Sequence, residues 1–358
     1  MEYTREEKAI IWLCGCVQAE YRERAALLRA AGDPARLFAG LQEFARGVIK
    51  DASARVYTID GAAREREADA FLSRLSSRGY FAVTLLSEDY PENLKAIPDP
   101  PLVLFGAGNR ALLQKRRFCI VGSRLTPPWA EKQAKLFSER ISQSFAVVTG
   151  FAEGGDRAAI DGACAGGNLI CVLPLGLDGC YPAAHASLKE KVKRSGLLLS
   201  EYPPEEKLMK YYFHARNRIL AGLSEGVLVV SAREPRSGAL MTASYAADYG
   251  RDVFAFPYNI GVAQGSGCNG LIKKGAYLAS CPEDVLSAYG IDAKEDRRET
   301  LPPEEARVLA LLRENGEMHA AELAEKLGMA VFELTAVLAS LEMKNLAVKS
   351  GGNRYSAL

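Results

Sequence analysis

Histidine and tryptophan are scarce in this chain, three and two in 358 residues. The histidines, His185, His214 and His319, are too dispersed to form a metal centre. No apolar stretch reaches the roughly 18–20 residues that cross a bilayer. The opening MEYTREEKAIIWLCGC puts acidic residues before a short apolar run, so no cleavable signal is expected. Net charge is only +1, which excludes a globally basic nucleic-acid binder but leaves room for a local basic groove. No lysine follows a glycine loop in the Walker manner, no Gly-x-Gly-x-x-Gly opens the first helix of the sheet region, and no Gly-x-Ser-x-Gly elbow joins a strand to a helix, since GLSEG at 222–226 precedes the run GVLVVSA. Triphosphate, dinucleotide and serine-hydrolase sites are therefore unsupported. The eight cysteines are scattered, and their one tight pair, Cys14 and Cys16, has no histidine nearby. That pattern reads as reduced thiols in a cytoplasmic protein without zinc.

The pattern of what is present changes twice along the chain. Residues 1–77 carry apolar side chains at three- and four-residue spacing and are expected to be helical. Residues 78–290 alternate short apolar runs (RFCIVG, FAVVTG, LICVLP, LLLSEY, GVLVVSA, DVFAFP) with amphipathic stretches such as WAEKQAKLFSERISQS and GALMTASYAADYG. Strands without polar alternation are buried on both faces, which predicts an α/β fold with a parallel sheet covered by helices. A charged linker is expected at 291–300. Residues 301–358 read as three helices and a hairpin turning at Gly351 and Gly352, the layout of a winged helix. Its expected reading helix, AVFELTAVLASL, has no lysine or arginine, which favours a protein contact over a DNA contact.

Ligands of open parallel sheets bind beyond the carboxyl ends of the strands, where glycine-rich loops deliver helix N-termini. Four such loops follow the strands here: VGSRLTPP, TGFAEGGD, PLGLDGCYP and EPRSG. Each suits an anion, or alternatively only a tight turn; four together, two carrying Arg124 or Arg236, favour the anion. Glu153, Asp156, Asp178 and Glu201 lie nearest this rim, as acid or base groups or, the favoured reading, as caps and arginine partners. In FHARNRILAGLS, Arg216 and Arg218 flank Asn217, and helical spacing keeps the two arginines off a common face. Tyr181, Tyr202, Tyr211, Tyr212 and Phe213 are nearby; they either stack on bases or pack in the core.

These segments resemble the DNA-processing protein A family (DprA or Smf). The resemblance runs through LLSEDYPENLKAIPDPPLVLFGAGN, VGSR, LSEYPP, FHARNRILAGLSEGVLVV, RSGALMTASYAADYGRDVFAFP and GSGCNGLIKKGA, about residues 84–290. It implies an extended Rossmann-like core between a helical, SAM-like N-terminal domain and a winged-helix tail. The implied protein binds single-stranded DNA, dimerises, and loads the RecA recombinase during natural transformation, with no cofactor, no catalytic turnover and no membrane. Carried over motif by motif, Gly122, Ser123 and Arg124 match a DNA-contacting Gly-Ser/Thr-Arg loop. Phe213, Arg216, Asn217 and Arg218 match the Phe-x-x-Arg-Asn-Arg motif, and Ser237 and Gly238 a Ser-Gly loop. Cys268 and Asn269 match a Gly-Cys-Asn segment where dimer and recombinase contacts are expected; Leu271, Ile272 and Leu278 lie in or after it.

Four positions depart from the family pattern. Glu153 stands where a cation is typical and Ile160 where a histidine is; Ala183 and His185 replace a lysine and an asparagine after Tyr181-Pro182. Each lost phosphate contact weakens binding and flattens its salt dependence. A competing reading is therefore a nucleotide-sensing or nucleotide-hydrolysing protein of the lysine-decarboxylase-like group. Against hydrolysis, EPRSGALMTAS lacks that group's Pro-Gly-Gly-x-Gly-Thr loop and its glutamate.

Overall fold

The computed structural model describes residues 2–17, 19–45, 48, 60–291, 301–344 and 346–357, which leaves all but Ile291 of the expected linker outside the described residues. The chain divides into two compact units, 1–291 and 292–358. Among the described residues no helix is long and apolar enough to cross a membrane.

Nine strands of the first unit form one sheet: β1 (Tyr80–Thr84), β2 (Val103–Gly108), β3 (Arg117–Gly122), β4 (Ala146–Thr149), β5 (Leu169–Val172), β6 (Leu197–Ser200), β7 (Gly226–Ser231), β8 (Asp252–Ala255) and β9 (Tyr277–Leu278). Their order is β1-β2-β6-β5-β4-β3-β7-β8-β9. From β6 to β9 every pairing is parallel, with Phe118 opposite Val147 and Ile120 opposite Leu228. The six apolar runs read as strands all lie in this part, and β3 to β7 are almost wholly buried because helices cover both faces. Phe118 anchors the sheet's centre, its ring 5.8 Å from those of Phe145 and Phe254.

The expected parallel sheet carries two antiparallel strands at one edge. β1 and β2 pair antiparallel with each other, and β2 pairs antiparallel with β6. Antiparallel neighbours need no crossover helix, and residues 85–102 between these strands supply only the short helix Glu92–Lys95. The N-terminal helices Arg5–Gly15 and Gly61–Ser77 pack beside this edge, where Phe71 meets Phe105 edge-on at 5.8 Å.

Strand order reverses at β3: the chain moves through β4 to β6 on one side, then returns to β7 on the other. Right-handed crossovers consequently place the helices formed before and after the reversal on opposite faces. Helices Pro128–Ile141 and Gly155–Ala163 pack together in one layer, and Tyr212–Leu223 packs with Gly238–Asp248 in the other. The reversal opens a crevice at the carboxyl ends of β3 and β7.

The second unit has helices Pro303–Asn315, Ala320–Leu327 and Val331–Met343 around a core that includes Val308, Leu323, Leu338 and Leu341. Beside the expected hairpin, β11 (Ala347–Ser350) and β12 (Arg354–Ala357), lies a two-residue strand β10 (Met318–His319) that completes a three-stranded sheet.

Candidate nucleic-acid interface

A cleft of about 630 Å³ occupies the crevice. Its walls come from the loop after β3 (Gly122–Leu125), the loop after β4 (Ala152, Glu153, Asp156), the loop after β7 (Arg233, Arg236, Ser237, Gly238) and the first turns of helix Tyr212–Leu223. Eight of the nine residues expected to touch DNA line it: Gly122, Ser123, Arg124, Phe213, Arg216, Asn217, Ser237 and Gly238. Arg218 lines a different cavity.

The first two loops can meet only because glycines face each other. A Cβ on Gly155 would sit 2.6 Å from the Gly122 Cα, and Gly154 adopts φ +71°. The Gly155 N–H then donates to the Ser123 carbonyl at 3.2 Å. Ser123 is held further by its own N–H, which donates to the Ser231 carbonyl at 3.0 Å, while its hydroxyl accepts from Leu125 N–H at 3.1 Å. A loop pinned this way aims the next side chain outward. Arg124 is exposed, its guanidinium 5.3 Å from the Phe213 ring centroid and 5.6 Å from that of Tyr181. Those two rings meet edge-on at 5.5 Å. The result is a cation set against two aromatic faces at the mouth of the cleft.

Arg216 serves the floor instead of the mouth. It is only 5% exposed, and its guanidinium donates to the carbonyls of Gly150 and Val172, at the carboxyl ends of β4 and β5. Asp156 is buried beside it and accepts from the N–H groups of Gly122 and Ala152, each at 3.2 Å. Burial pushes the Asp156 carboxyl up, and Arg216 with the two N–H donors only partly counters this. Burial likewise pushes Arg216 down against the pull of Asp156. Asn217 joins helix to loop, accepting from Arg216 Nε at 3.1 Å and donating to the Gly238 carbonyl at 3.2 Å.

Arg218 points the other way. It is 5% exposed, with Nε 3.0 Å from Asp99 and Nη2 2.6 Å from Glu201, and its guanidinium lies over Tyr21. Burial works against the Arg218 charge, but the two acids more than offset it; burial also pushes the Glu201 carboxyl up. The expected tyrosine cluster divides accordingly. Tyr181 stays with Phe213 at the cleft, whereas Tyr202 and Tyr212 stack at 3.8 Å in the cavity that Arg218 lines. Asp178 pairs with Arg78 at 2.6 Å, so three of the four rim acids act as loop braces or arginine partners.

The remaining rim acid, Glu153, is exposed in the cleft wall. Opposing it are exposed Arg124, Arg233 and Arg236, none of which forms an ion pair among the described residues. Three open cations against one open acid give the mouth a positive balance that the whole chain lacks. Arg233 escaped the sequence reading, although its position directly after an apolar strand, in SAREPRSG, marked it. The other departures separate by depth: Ala183 is exposed, Ile160 is fully buried in the core, and His185 is buried with its ring edge-on to Phe151. Asn269 clamps the backbone of Tyr258, while Leu271 and Ile272 are half-buried against the core and Leu278 is 49% exposed on β9.

Doubly wound strands with a reversal at β3, a glycine-lined cleft there and a winged-helix unit later in the chain define the class: an extended Rossmann-like protein with a winged-helix tail. Residues 81–290 match the family model for DNA recombination-mediator protein A, and residues 292–353 the DprA winged helix domain. The chain belongs to the DNA processing protein A family. It is 39% identical to the DNA processing protein DprA of Streptococcus pneumoniae over 222 residues, covering 62% of this chain and 78% of that one. It is 40% identical to protein Smf of Escherichia coli over 203 residues, 56% of this chain and 54% of the other. Among solved structures, the X-ray structure of the S. pneumoniae protein superposes with a TM-score of 0.64 at 31% identity, covering 80% of this chain and 98% of that one. A Helicobacter pylori DNA processing protein A, described for its unique single-stranded DNA binding mode, gives 0.53 at 27%, covering 59% and 95%.

Proposed function

We propose that the cleft holds single-stranded DNA and that the chain is a non-enzymatic, cytoplasmic binding protein that passes the strand to a RecA-type recombinase in natural transformation. The observation that carries this reading is the mouth itself, where Arg124 lies against two aromatic rings and Arg233 and Arg236 line the same cleft with no ion pair among the described residues. Cations track the phosphates and rings accept bases, the combination that single strands require. Arg216 and Asn217 support the contact surface from behind, while Arg218 braces the neighbouring cavity. The H. pylori relative's single-stranded DNA binding is consistent with this assignment. A salt-titrated binding assay with single-stranded DNA, duplex DNA and free nucleotides tests it. Tight, steeply salt-dependent binding to the single strand is expected, whereas saturation by a mononucleotide alone favours the competing nucleotide-sensor reading, for which Glu153 would address ribose hydroxyls.

Glu153 and Ala183 make DNA affinity submaximal in this reading. Glu153→Arg combined with Ala183→Lys is expected to tighten binding and steepen the salt slope by about 0.7 per added phosphate contact. Fluorescence anisotropy across a salt series reads both; an unchanged slope would remove these positions from the strand's path.

We further propose a homodimer through β9. Tyr277 and Leu278 are 56% and 49% exposed on a two-residue edge strand, an unpaired edge that a two-fold contact would cover. Leu278→Arg is expected to yield monomers by light scattering with unaltered thermal unfolding, and a variant that stays dimeric would refute it. The winged helix is read as a protein-contact module, because its reading helix bears no cation until Lys344 and exposes Val331 and Phe332.

A further inference from the structure

The chain's two tryptophans differ sharply: Trp12 is wholly buried, and Trp129 is 47% exposed. Trp129 sits in the first turn of helix Pro128–Ile141, four residues beyond Leu125, which lines the cleft and is 78% exposed. Four residues place its backbone within about 14 Å of that wall.

The exposed indole is braced from behind. Its ring lies 4.9 Å from Tyr258 and 6.5 Å from Phe256, nearly parallel to the latter. Tyr258 is itself immobilised: its hydroxyl donates to the Val230 carbonyl at 2.7 Å, and Asn269 binds both its N–H and its carbonyl, at 3.0 and 2.9 Å. An indole fixed on one side and open on the other is a stacking surface ordered before any ligand arrives, which lowers the entropy cost of binding. Lys132, one turn further along the helix, is exposed and supplies a cation for the phosphate of a stacked nucleotide.

At the cleft mouth Tyr181 and Phe213 have Arg124 against them, and the same loop continues through Leu125 into the first helical turn that bears Trp129. We propose that Trp129 is a second base-stacking platform, engaged by the same single strand as it leaves the cleft, and that Asn269 positions this platform through Tyr258. The proposal rests on the reading of the cleft as a single-stranded DNA site. Its occupant is the continuing strand because the platform is continuous with the cleft through the Leu125 loop.

The test uses the full-length protein and its own tryptophan emission, with oligothymidylates of about four and about sixteen nucleotides. The longer strand is expected to quench the emission and at least halve its accessibility to acrylamide, while the shorter one, filling only the cleft, leaves both unchanged. Trp129→Phe removes the responsive signal, and Trp129→Ala weakens the longer strand by about tenfold without affecting the shorter. Unchanged emission and equal affinity of Trp129→Ala for the longer strand, in a protein whose binding still depends on Arg124, overturn the platform and leave the cleft reading intact. Failure of both strands to bind the unmodified protein overturns the cleft reading and the platform with it.

Discussion

Replacing Arg124 with alanine is expected to lower affinity for single-stranded DNA by about tenfold or more at low salt, since a charge-assisted contact is worth about 1.5–3 kcal/mol. The loss should be alike for all base sequences, and the salt slope should fall by about 0.7. Both follow from geometry: the side chain leaves a loop pinned through Ser123, reaches the mouth unpaired, and lies over Phe213 and Tyr181. Because Arg124 is exposed and forms no ion pair among the described residues, thermal stability should hardly change. A variant with unaltered affinity and slope would put the phosphate path elsewhere.

Arg216→Ala is expected to act on the fold. Its guanidinium satisfies the Gly150 and Val172 carbonyls and balances buried Asp156, so its removal takes a donor from two strand-end acceptors and leaves the buried acid with its two N–H donors but without that counter-charge. Leaving a buried charge uncompensated costs about 3–5 kcal/mol, measurable as a lowered urea midpoint. The pH dependence has a defined sign. Burial already holds the folded-state carboxyl of Asp156 above its ordinary value, and losing Arg216 raises it further. An acid raised on folding contributes full stability below its unfolded value and loses it as pH rises through the folded value. The deficit of the variant should therefore shrink as pH falls towards the ordinary carboxyl range. A deficit constant with pH would mean that Asp156 is not the group left unbalanced.

The contrast between these two arginines marks where sequence reading stopped. Strands β3 to β8 were legible because residues buried on both faces leave unbroken apolar runs, and the cleft loops because glycine follows each strand. β1 and β2 were hidden: YFAVT is only half-buried over its first two residues, and Gly106 interrupts the apolar run of VLFGAG. That glycine is needed because the Phe81 ring would approach its Cβ to 2.3 Å. The direction of Arg216 and Arg218 was hidden for another reason. Spacing on a helix separates faces only if one face meets water, and from Arg216 to Leu223 every residue of this helix is buried. Opposite faces here meant two interiors, one below the cleft and one beside Tyr21 and Glu201. Ile160 and His185 likewise looked like rim changes but lie inside.

Photocrosslinking maps the path of the bound strand across the protein. A single-stranded oligothymidylate carrying 4-thiothymidine is bound to the full-length protein, irradiated, and the attached peptides are mapped by mass spectrometry. The account predicts adducts on the Gly122–Leu125 loop and on the peptides containing Tyr181 and Phe213, lost when Arg124 is replaced by alanine. Adducts confined to residues 301–358, or to the cavity around Tyr21 and Tyr212, would contradict it.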